Sequence, residues 1–283
     1  MIATNPPTPR IGFIGAGNLA TSLIGGLIQA GWSPDSLCAA DPADTTRRQL
    51  TERYGLLVSP ENQDIVHQAD VVVLAVKPQV MQPVARALAE AIRPTQTVVS
   101  VAAGIEGPAL SRWLTSTLGT PGIIRAMPNT PALLGAGATG LVAVNAVSEM
   151  GRSTTASIFA AVGTVEWLER EADLNAVIAV AGSAPAYFFA FIEALTRGGT
   201  DLGLPQTMAE RLAIQTALGA ARMASETDVP VQTLRERVTS PGGTTAEALK
   251  ALQAGDLDAL VRKAMQAAVD RAGAMADEFG ASD

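Results

Sequence analysis

The stretch IGFIGAGNLATSLIGGLIQAG, residues 11–31, constrains the fold of this chain more than any other. It begins with an apolar run that predicts a strand, continues through the pattern Gly-x-Gly-x-x-Ala, and ends in a helical pattern. The first glycine permits a tight turn, the second lets the backbone approach a pyrophosphate, and the alanine lets the helix pack closely on the strand. The free N–H groups at the start of the helix favour an anion. The residues that we expect to contact a dinucleotide here are Gly15, Ala16, Gly17, Asn18 and Leu19.

The composition is that of a packed, acidic protein. Of its 283 residues, 48% are hydrophobic and 17% are charged, and 20 Lys and Arg stand against 27 Asp and Glu. The net charge of −7 gives no reason to expect nucleic acid or an anionic membrane surface as a partner. The first ten residues lack the apolar core of a signal peptide, so we expect a cytoplasmic protein. Cys38 is the only cysteine, which excludes an intrachain disulfide and a cysteine-based metal cluster, and we expect no metal site.

Short apolar runs alternate with helical patterns through the first half of the chain. The predicted strands are Ile11–Ile14, Leu37–Ala40, Val71–Val76, Thr97–Ala102, Ile123–Met127 and Gly140–Val144. The helices predicted between them are Leu19–Gln29, Asp44–Arg53, Gln63–His67, Met81–Ala91 and Pro108–Thr115. This alternation predicts a mostly parallel sheet with helices on both faces, and continuous apolar strands are typical of such a sheet. Together with the glycine pattern, it predicts an N-terminal Rossmann domain over residues 1–172.

Beyond residue 172 the strand patterns end and apolar residues recur at the helical period of 3.6. The predicted helices are Leu174–Leu202, Pro205–Thr227, Val231–Val238, Thr245–Ala254 and Leu257–Phe279. The apolar run Ala176–Ile192 approaches the length of a membrane span, but Pro185 and small polar neighbours favour a helix in a protein core or dimer interface. The fold class is therefore α/β, a Rossmann domain followed by an all-helical domain over residues 173–283.

Asp41 follows the second predicted strand, where a further cofactor contact is expected. An acidic residue there binds the hydroxyls of the adenosine ribose and repels a 2′-phosphate, which favours NAD. Arg47 and Arg48 follow closely and offer partners for that phosphate instead. Asp41 also suits the cap of the next turn. The sequence leaves the choice between NADH and NADPH open.

The next two strands end in residues suited to the rest of the cofactor. Val76, Lys77 and Pro78 close the third strand, and Ala102 closes the fourth. Since open α/β sheets bind ligands at the carboxyl ends of their strands, we expect all four residues beside the cofactor. Lys77 is placed to contact either the ribose or the substrate, so it is also a catalytic candidate. The small side chain of Ala102 leaves room for the nicotinamide.

Side chains that usually protonate a carbonyl oxygen during hydride transfer are scarce. His67 is the one histidine, and it lies before the third strand, at the end of the sheet opposite the cofactor. Neither Tyr54 nor Tyr187 has a lysine four residues later, and residues 79–248 contain no lysine. A protonated C=N bond carries its own positive charge and needs positioning more than a protein acid. The inventory favours an imine substrate, although Asp and Glu are plentiful.

One loop before a C-terminal helix offers a place for a substrate carboxylate. It contains Ser240, Gly242, Gly243, Thr244 and Thr245, whose hydroxyls and N–H groups gather at a helix N-terminus. An ordinary N-capping loop explains the same residues equally well.

Five motifs together resemble the pyrroline-5-carboxylate reductase family. They are IGFIGAGN, AVKP, IRAMPNTPAL, GSAPAYFF and LRERVTSPGGTTAEAL, in this order along nearly the whole chain. The resemblance implies reduction of L-1-pyrroline-5-carboxylate to L-proline by NADPH or NADH, the last step of proline biosynthesis. It also implies that the helical domain is a dimerisation domain, that each site draws on two chains, and that larger rings of dimers form.

The resemblance further implies roles for individual residues. The substrate carboxylate would lie in the loop Ser240–Thr245, with the Thr245 hydroxyl near the ring nitrogen. Asn62 would contact the adenosine end of the cofactor, and Lys77 and Pro78 would line its ribose.

Two departures from the family pattern concern the expected interface and pocket. Residues 181–184 are Ala-Gly-Ser-Ala where Ser-Gly-Ser-Gly is usual, and Arg197 stands where an acidic residue is common. Two alternatives to the implied activity remain: a reductase of a related cyclic imine on the same fold, and a nucleotide-binding regulator without turnover. The intact loop Ser240–Thr245 argues against the regulator, which needs no substrate cradle.

Overall fold

One eight-stranded sheet organises the N-terminal part of the chain in the computed structural model, which describes residues 8–280. The strands are β1 (Ile11–Ile14), β2 (Leu37–Ala40), β3 (Leu57–Ser59), β4 (Val71–Leu74), β5 (Thr97–Ser100), β6 (Gly122–Met127), β7 (Gly137–Ala143) and β8 (Gly163–Trp167). Their order across the sheet is β3-β2-β1-β4-β5-β6-β7-β8, and only the pair β6–β7 is antiparallel. The predicted mostly parallel sheet is confirmed. The strand order reverses between β1 and β4, the place where ligands bind in such sheets.

Helices connect these strands and form most of the described chain after β8. Those around the sheet are α1 (Asn18–Gln29), α2 (Asp44–Tyr54), α3 (Asn62–Val66), α4 (Pro78–Leu88), α5 (Gly107–Leu114) and α6 (Glu149–Ala160). Those that follow are α7 (Asp173–Val177), α8 (Ala184–Asp201), α9 (Gln206–Ser225), α10 (Val231–Arg237), α11 (Thr244–Ala254) and α12 (Leu257–Gly280). A 3-10 turn, Thr130–Leu134, follows β6, and a π-helical turn, Ile178–Gly182, links α7 to α8. The helical C-terminal region is thus confirmed.

The sheet has an apolar core on each face. Along β1, Phe13 packs in the core that includes α1 and α6, whereas Ile14 packs in the core formed with α3, α4 and α5. Both side chains are 0% exposed. This is why the sequence shows continuous apolar strands instead of alternating ones. Because β4 and β5 end at Leu74 and Ser100, Val76 and Ala102 lie in the loops beyond them.

Contacts divide the described chain into two units. The sheet unit comprises residues 8–183 together with residues 268–280, and the helical unit comprises residues 184–267. This division differs from the boundary predicted after residue 172. Leu174 is fully buried with Met127 and Val142 of the sheet, which assigns α7 to the sheet unit. The end of α12 also belongs to that unit, which the helical period alone did not predict.

Two strands and one α-helix of the sheet unit were not predicted from the sequence. β3 has only three residues, and β8 is an edge strand whose residues alternate between half-buried and exposed. α6 is rich in Ser and Thr, which have modest helix propensity. It begins where the hydroxyl oxygen of Ser148 accepts the N–H of Gly151 at 3.1 Å, and it is anchored by the buried Ile158 and Phe159. The N-cap and the buried side chains therefore stabilise this helix although its residues have modest helix propensity.

The helical unit buries almost none of its own side chains. Large apolar residues of α8 are exposed, Phe188 by 65% and Phe189 by 63%. The helical stretch Asp173–Asp201 is long and apolar enough to cross a membrane by length and composition, a test that soluble core helices also pass. Apolar surfaces of this extent mark interaction sites. The buried residues of the helical unit are Ala184, Ala209 and Ala213.

Two adjacent glycines in α1 should respond differently to substitution by alanine. A Cβ at Gly26 would overlap the side chain of Val162 and lie 2.8 Å from the carbonyl oxygen of Ala161. At Gly25 the close atom is the hydroxyl of Tyr54, the movable end of a flexible side chain. Overpacking costs about 1–3 kcal/mol, which exceeds the gain in helix propensity of about 1 kcal/mol.

We therefore expect Gly26→Ala to lower the unfolding temperature and Gly25→Ala to leave it unchanged or raise it. Thermal unfolding of both variants at the same protein concentration measures the difference. A Gly26→Ala protein as stable as the wild type would contradict the close contact between α1 and the loop after α6.

Candidate active site

The loop between β1 and α1 has the geometry of a pyrophosphate cradle. Gly15 has a φ of +87°, and a Cβ there would lie 3.0 Å from the carbonyl oxygen of Ala75, so the turn requires glycine. Gly17 is exposed, and nothing lies within 4 Å of the position that its Cβ would take. Gly17 is also the N-cap of α1, and no side chain caps this helix. Its first N–H groups are therefore available to an anion.

The loops after four neighbouring strands lie along one edge of the sheet. The N–H of Gly15 donates to the carbonyl of Ala40 at 2.9 Å, and the N–H of Ala75 donates to that of Ile14 at 2.8 Å. β5 continues the parallel register beside β4. The carboxyl ends of β2, β1, β4 and β5 are thus side by side. The predicted residues that follow these strands are Gly15, Asp41, Val76, Lys77, Pro78 and Ala102.

Asp41 is bonded to the glycine loop. One of its carboxylate oxygens accepts the N–H of Ala16 at 2.9 Å, and the other accepts the N–H of Ala43 at 2.9 Å. The bond to Ala43 is the turn cap that the sequence offered as an alternative role for Asp41. The bond to Ala16 was not predicted. Each carboxylate oxygen can accept a further bond, so both have acceptor capacity left for ribose hydroxyls.

Two arginines beside Asp41 share the carboxylate of Asp44. The guanidinium of Arg47 donates to the carbonyl oxygen of Asp41 at 2.7 Å and lies 3.2 Å from Asp44. Nε of Arg48 lies 2.8 Å from the same carboxylate. The side chain of Asp44 is 57% exposed, so these ion pairs are weak and a phosphate can replace this carboxylate. Sequence reasoning missed Asp44, whose spacing of three and four residues from the arginines was the available signal.

The other predicted cofactor residues differ in exposure. Lys77 is exposed before α4, and its ammonium forms no ion pair with any residue between 8 and 280. Asn62 begins α3 and is half-buried, as is Val76. Ala102 is only 5% exposed, so its neighbour Ala103, which is half-buried, is the more accessible residue of that turn.

A cavity of about 720 Å³ borders the glycine loop on the side of α1 and α2. Its lining includes Gly17 and Asn18 from the start of α1 and Arg53 and Tyr54 from the end of α2. The guanidinium carbon of Arg53 lies 5.0 Å from the centre of the Tyr54 ring. The start of α1 is therefore open to a ligand.

The predicted substrate loop connects α10 to α11 in the helical unit. Gly242 has a φ of +70°, and a Cβ at Gly243 would lie 2.7 Å from the hydroxyl oxygen of Ser240. Gly243 is the N-cap of α11, which has no side-chain cap. Ser240 and Thr244 are exposed, whereas Thr245 is half-buried. The loop therefore presents hydroxyl and N–H groups at the start of a helix, an arrangement suited to a carboxylate.

The chain's histidine and cysteine take no part in these sites. The carbonyl of His67 accepts a bond from Arg93, which precedes β5, so this exposed histidine lies at the opposite edge of the sheet. Burial raises the pKa of the Cys38 thiol to about 11, which keeps it protonated and unreactive near neutral pH. Among residues 8–280, no group of three or more His, Cys, Asp or Glu is arranged to hold a metal ion.

Asn129 has a structural role that sequence reasoning missed. Its Nδ2 donates to the carbonyl of Ala181 at 3.0 Å, and its Oδ1 accepts the N–H of Ala138 at 2.9 Å. It thus ties the end of β6 to β7 and to the π-helical turn. The available signal was an amide side chain within the apolar, proline-containing motif IRAMPNTPAL.

Comparisons with known proteins find matches in both the N-terminal and the C-terminal part of the chain. A family model described as pyrroline-5-carboxylate reductase dimerisation matches residues 171–275, and one described as NADP oxidoreductase coenzyme F420-dependent matches residues 10–104. The pyrroline-5-carboxylate reductase of Pseudomonas aeruginosa is 47% identical over 274 residues, which are 96% of this chain and 99% of that protein.

Two solved structures are similar over the same length. A pyrroline-5-carboxylate reductase from Coxiella burnetii has 42% identity and a TM-score of 0.91, covering 95% of this chain and 98% of its own. The pyrroline carboxylate reductase of Plasmodium falciparum, with NADP bound, has 27% identity and a TM-score of 0.80, covering 96% and 100%.

Asp41→Ser should shift the cofactor preference towards NADPH. Serine can replace only one of the two bonds from the carboxylate to Ala16 and Ala43, and it removes a negative charge that would oppose a 2′-phosphate beside Arg47. We expect weaker binding of NADH and a higher ratio of the Kd for NADH to that for NADPH. Calorimetric titration with both dinucleotides measures this ratio.

Asp35→Ser is the matched control, because Asp35 precedes the first residue of β2 whereas Asp41 follows the last one. It should leave the ratio unchanged. An unchanged ratio in Asp41→Ser as well would mean that Asp41 does not face the ribose.

Proposed function

This chain belongs to the pyrroline-5-carboxylate reductase family, and from that membership we infer the chemistry of its two candidate sites. It is an oxidoreductase that reduces L-1-pyrroline-5-carboxylate to L-proline with a nicotinamide dinucleotide, NADPH or NADH. The reaction is the last step of proline biosynthesis.

The carboxyl edge of the sheet is assigned to the cofactor. The open space at Gly17 and the uncapped start of α1 fit a pyrophosphate, and Asp41 with Arg47 suits the adenosine ribose. Asn62 is assigned to the adenosine end, and the exposed ammonium of Lys77 to the ribose or the substrate. When bound, the dinucleotide supplies a hydride to the carbon of the C=N bond.

The Ser240–Thr245 loop is assigned to the substrate. The observation that supports this best is the uncapped start of α11 beside a half-buried threonine, Thr245. The N–H groups of this turn would bind the substrate carboxylate. The Thr245 hydroxyl would accept the N–H of the protonated imine and so orient the ring. Because the imine nitrogen already carries its proton when the carbon takes the hydride, no protein acid is needed and the product is the neutral amine.

A second copy of the chain is the partner that fits the helical unit. The chain carries the family's dimerisation domain, and large side chains such as Phe188 and Phe189 are exposed on α8. We propose that they are covered in a homodimer or a larger ring of dimers and that each complete site draws on two chains. On this proposal the protein is cytoplasmic, and neither a membrane nor a nucleic acid is a partner.

Substrate range tests the activity directly. With pyrroline-5-carboxylate, we expect oxidation of NADPH or NADH, followed as loss of the dihydronicotinamide absorbance. The corresponding six-membered cyclic imine is the control for ring size. Turnover of that ring alone would favour the alternative, a reductase of a related cyclic imine on the same fold. No oxidation with any imine would refute the reductase assignment.

Thr245→Ala should lower turnover without weakening the binding of the cofactor. The substitution removes the hydroxyl proposed to orient the imine, a loss on the order of 10²-fold in kcat/KM when a buried partner is left unpaired. Thr245→Ser keeps the hydroxyl and should retain most activity. Steady-state kinetics and the Kd of NADPH measure both effects. An equal loss of turnover and of NADPH affinity in a folded Thr245→Ala protein would mean that the loop is wrongly assigned.

A further inference from the structure

The end of α12 packs on the sheet unit through one face. The exposed residues between the packed positions include Asp277 and Glu278. Phe279 joins the apolar core formed by β4, β5 and α5. The spacing of the packed positions, three and four residues apart, is that of one helical stripe. The buried or half-buried residues of this stripe are Ala272, Met275, Ala276 and Phe279.

This face directly contacts the turn that follows β5. Gly104 is buried with a φ of +73°, and a Cβ there would lie 2.8 Å from Cβ of Met275 and 3.1 Å from Cδ2 of Phe279. The helix and the turn therefore touch with no room for a methyl group. The guanidinium of Arg112 donates to the carbonyl oxygen of Gly280 at 3.1 Å, which fixes the end of the helix.

The same turn has a second packing partner. Ala103 packs against the cluster formed by Met127, Val142 and Leu174, at the end of β6, on β7 and in α7. Two independent sets of contacts thus hold a turn made only of small residues. Apart from two alanine methyl groups, such a turn has no side chains with which to fix its conformation, so its packing partners largely determine it.

We propose that Met275 and Phe279 are positioning residues that hold the Ala102–Gly104 turn in the conformation against which the nicotinamide end of the cofactor rests. This inference depends on the proposed function, which assigns that turn to the nicotinamide. Hydride transfer is sensitive to the alignment of donor and acceptor, whereas affinity is set largely by the pyrophosphate and adenosine contacts at other loops. Loosening the turn should therefore reduce the rate of the chemical step more than binding.

Phe279→Ala is the test. We expect kcat to fall about tenfold, because a small misplacement of the reacting groups is costly. The KM for pyrroline-5-carboxylate and the calorimetric Kd of NADP⁺ should stay unchanged. The deuterium isotope effect with NADPH labelled at the transferred hydrogen should rise, because hydride transfer becomes more rate-limiting. Hydrogen exchange of the amides of residues 101–106 should be faster, with or without cofactor.

Phe279→Leu, which keeps apolar volume, should restore most of the rate and of the exchange protection. Glu278→Ala, on the adjacent exposed position, is the matched control and should behave as the wild type. If Phe279→Ala does not fold, Phe279→Val, which keeps less apolar volume than Phe279→Leu, provides the same test with a smaller expected fall in kcat.

Wild-type exchange and wild-type kcat in Phe279→Ala would overturn the inference. So would a fall in kcat accompanied by weaker NADP⁺ binding and an unchanged isotope effect, which indicates general loosening. A wild-type protein that oxidises no dinucleotide with any imine would refute the proposed function instead, and the exchange measurements would still test the contact.

Discussion

The close approach of backbone segments at the carboxyl edge of the sheet is the constraint on which the rest of the candidate cofactor site depends. Gly15 has a φ of +87°, and a Cβ there would lie only 3.0 Å from the carbonyl oxygen of Ala75. The carboxylate of Asp41 then holds the same loop by accepting the N–H of Ala16. In the loop after β5, Gly104 lies against α12, and a Cβ there would lie 2.8 Å from Cβ of Met275. This edge therefore consists of turns of small residues, and each turn is held by a residue that is distant from it in the sequence.

The helical unit depends on a different constraint, because it cannot bury its own apolar side chains. Only three alanines of residues 184–267 are buried, while Phe188 and Phe189 are mostly exposed. Covering one such side chain contributes about 1.5–3 kcal/mol. A partner that covers several of them supplies stability that this unit lacks alone, and the stability of the unit then depends on protein concentration. The match of residues 171–275 to a dimerisation family is in line with this argument.

Local sequence patterns predicted the elements whose signals are strong and missed those formed by tertiary contacts. β1 and α1 were predicted with nearly their observed bounds because apolar period and glycine pattern coincide there. α6 was missed because its Ser- and Thr-rich sequence becomes helical only with a cap and a buried Phe159. The bond from Asp41 to Ala16 depends on which strands are neighbours, and no spacing along the chain reveals it. The packing of Phe279 near Gly104 joins residues far apart in sequence, and the helical period of α12 carries no information about its partner.

Substrate chemistry explains why a site built mainly from turns is sufficient. Reducing a protonated imine creates no oxyanion, so the protein must align two reactants but need not donate a proton at the reacting carbon or nitrogen. The exposed Lys77 and the half-buried Thr245 are the polar side chains that we propose to contact the reactants. Alignment in turn depends on residues such as Asp41 and Phe279 that hold backbone in place. Substitutions at these supporting positions should therefore affect catalysis through geometry, without altering the set of groups that touch the substrate.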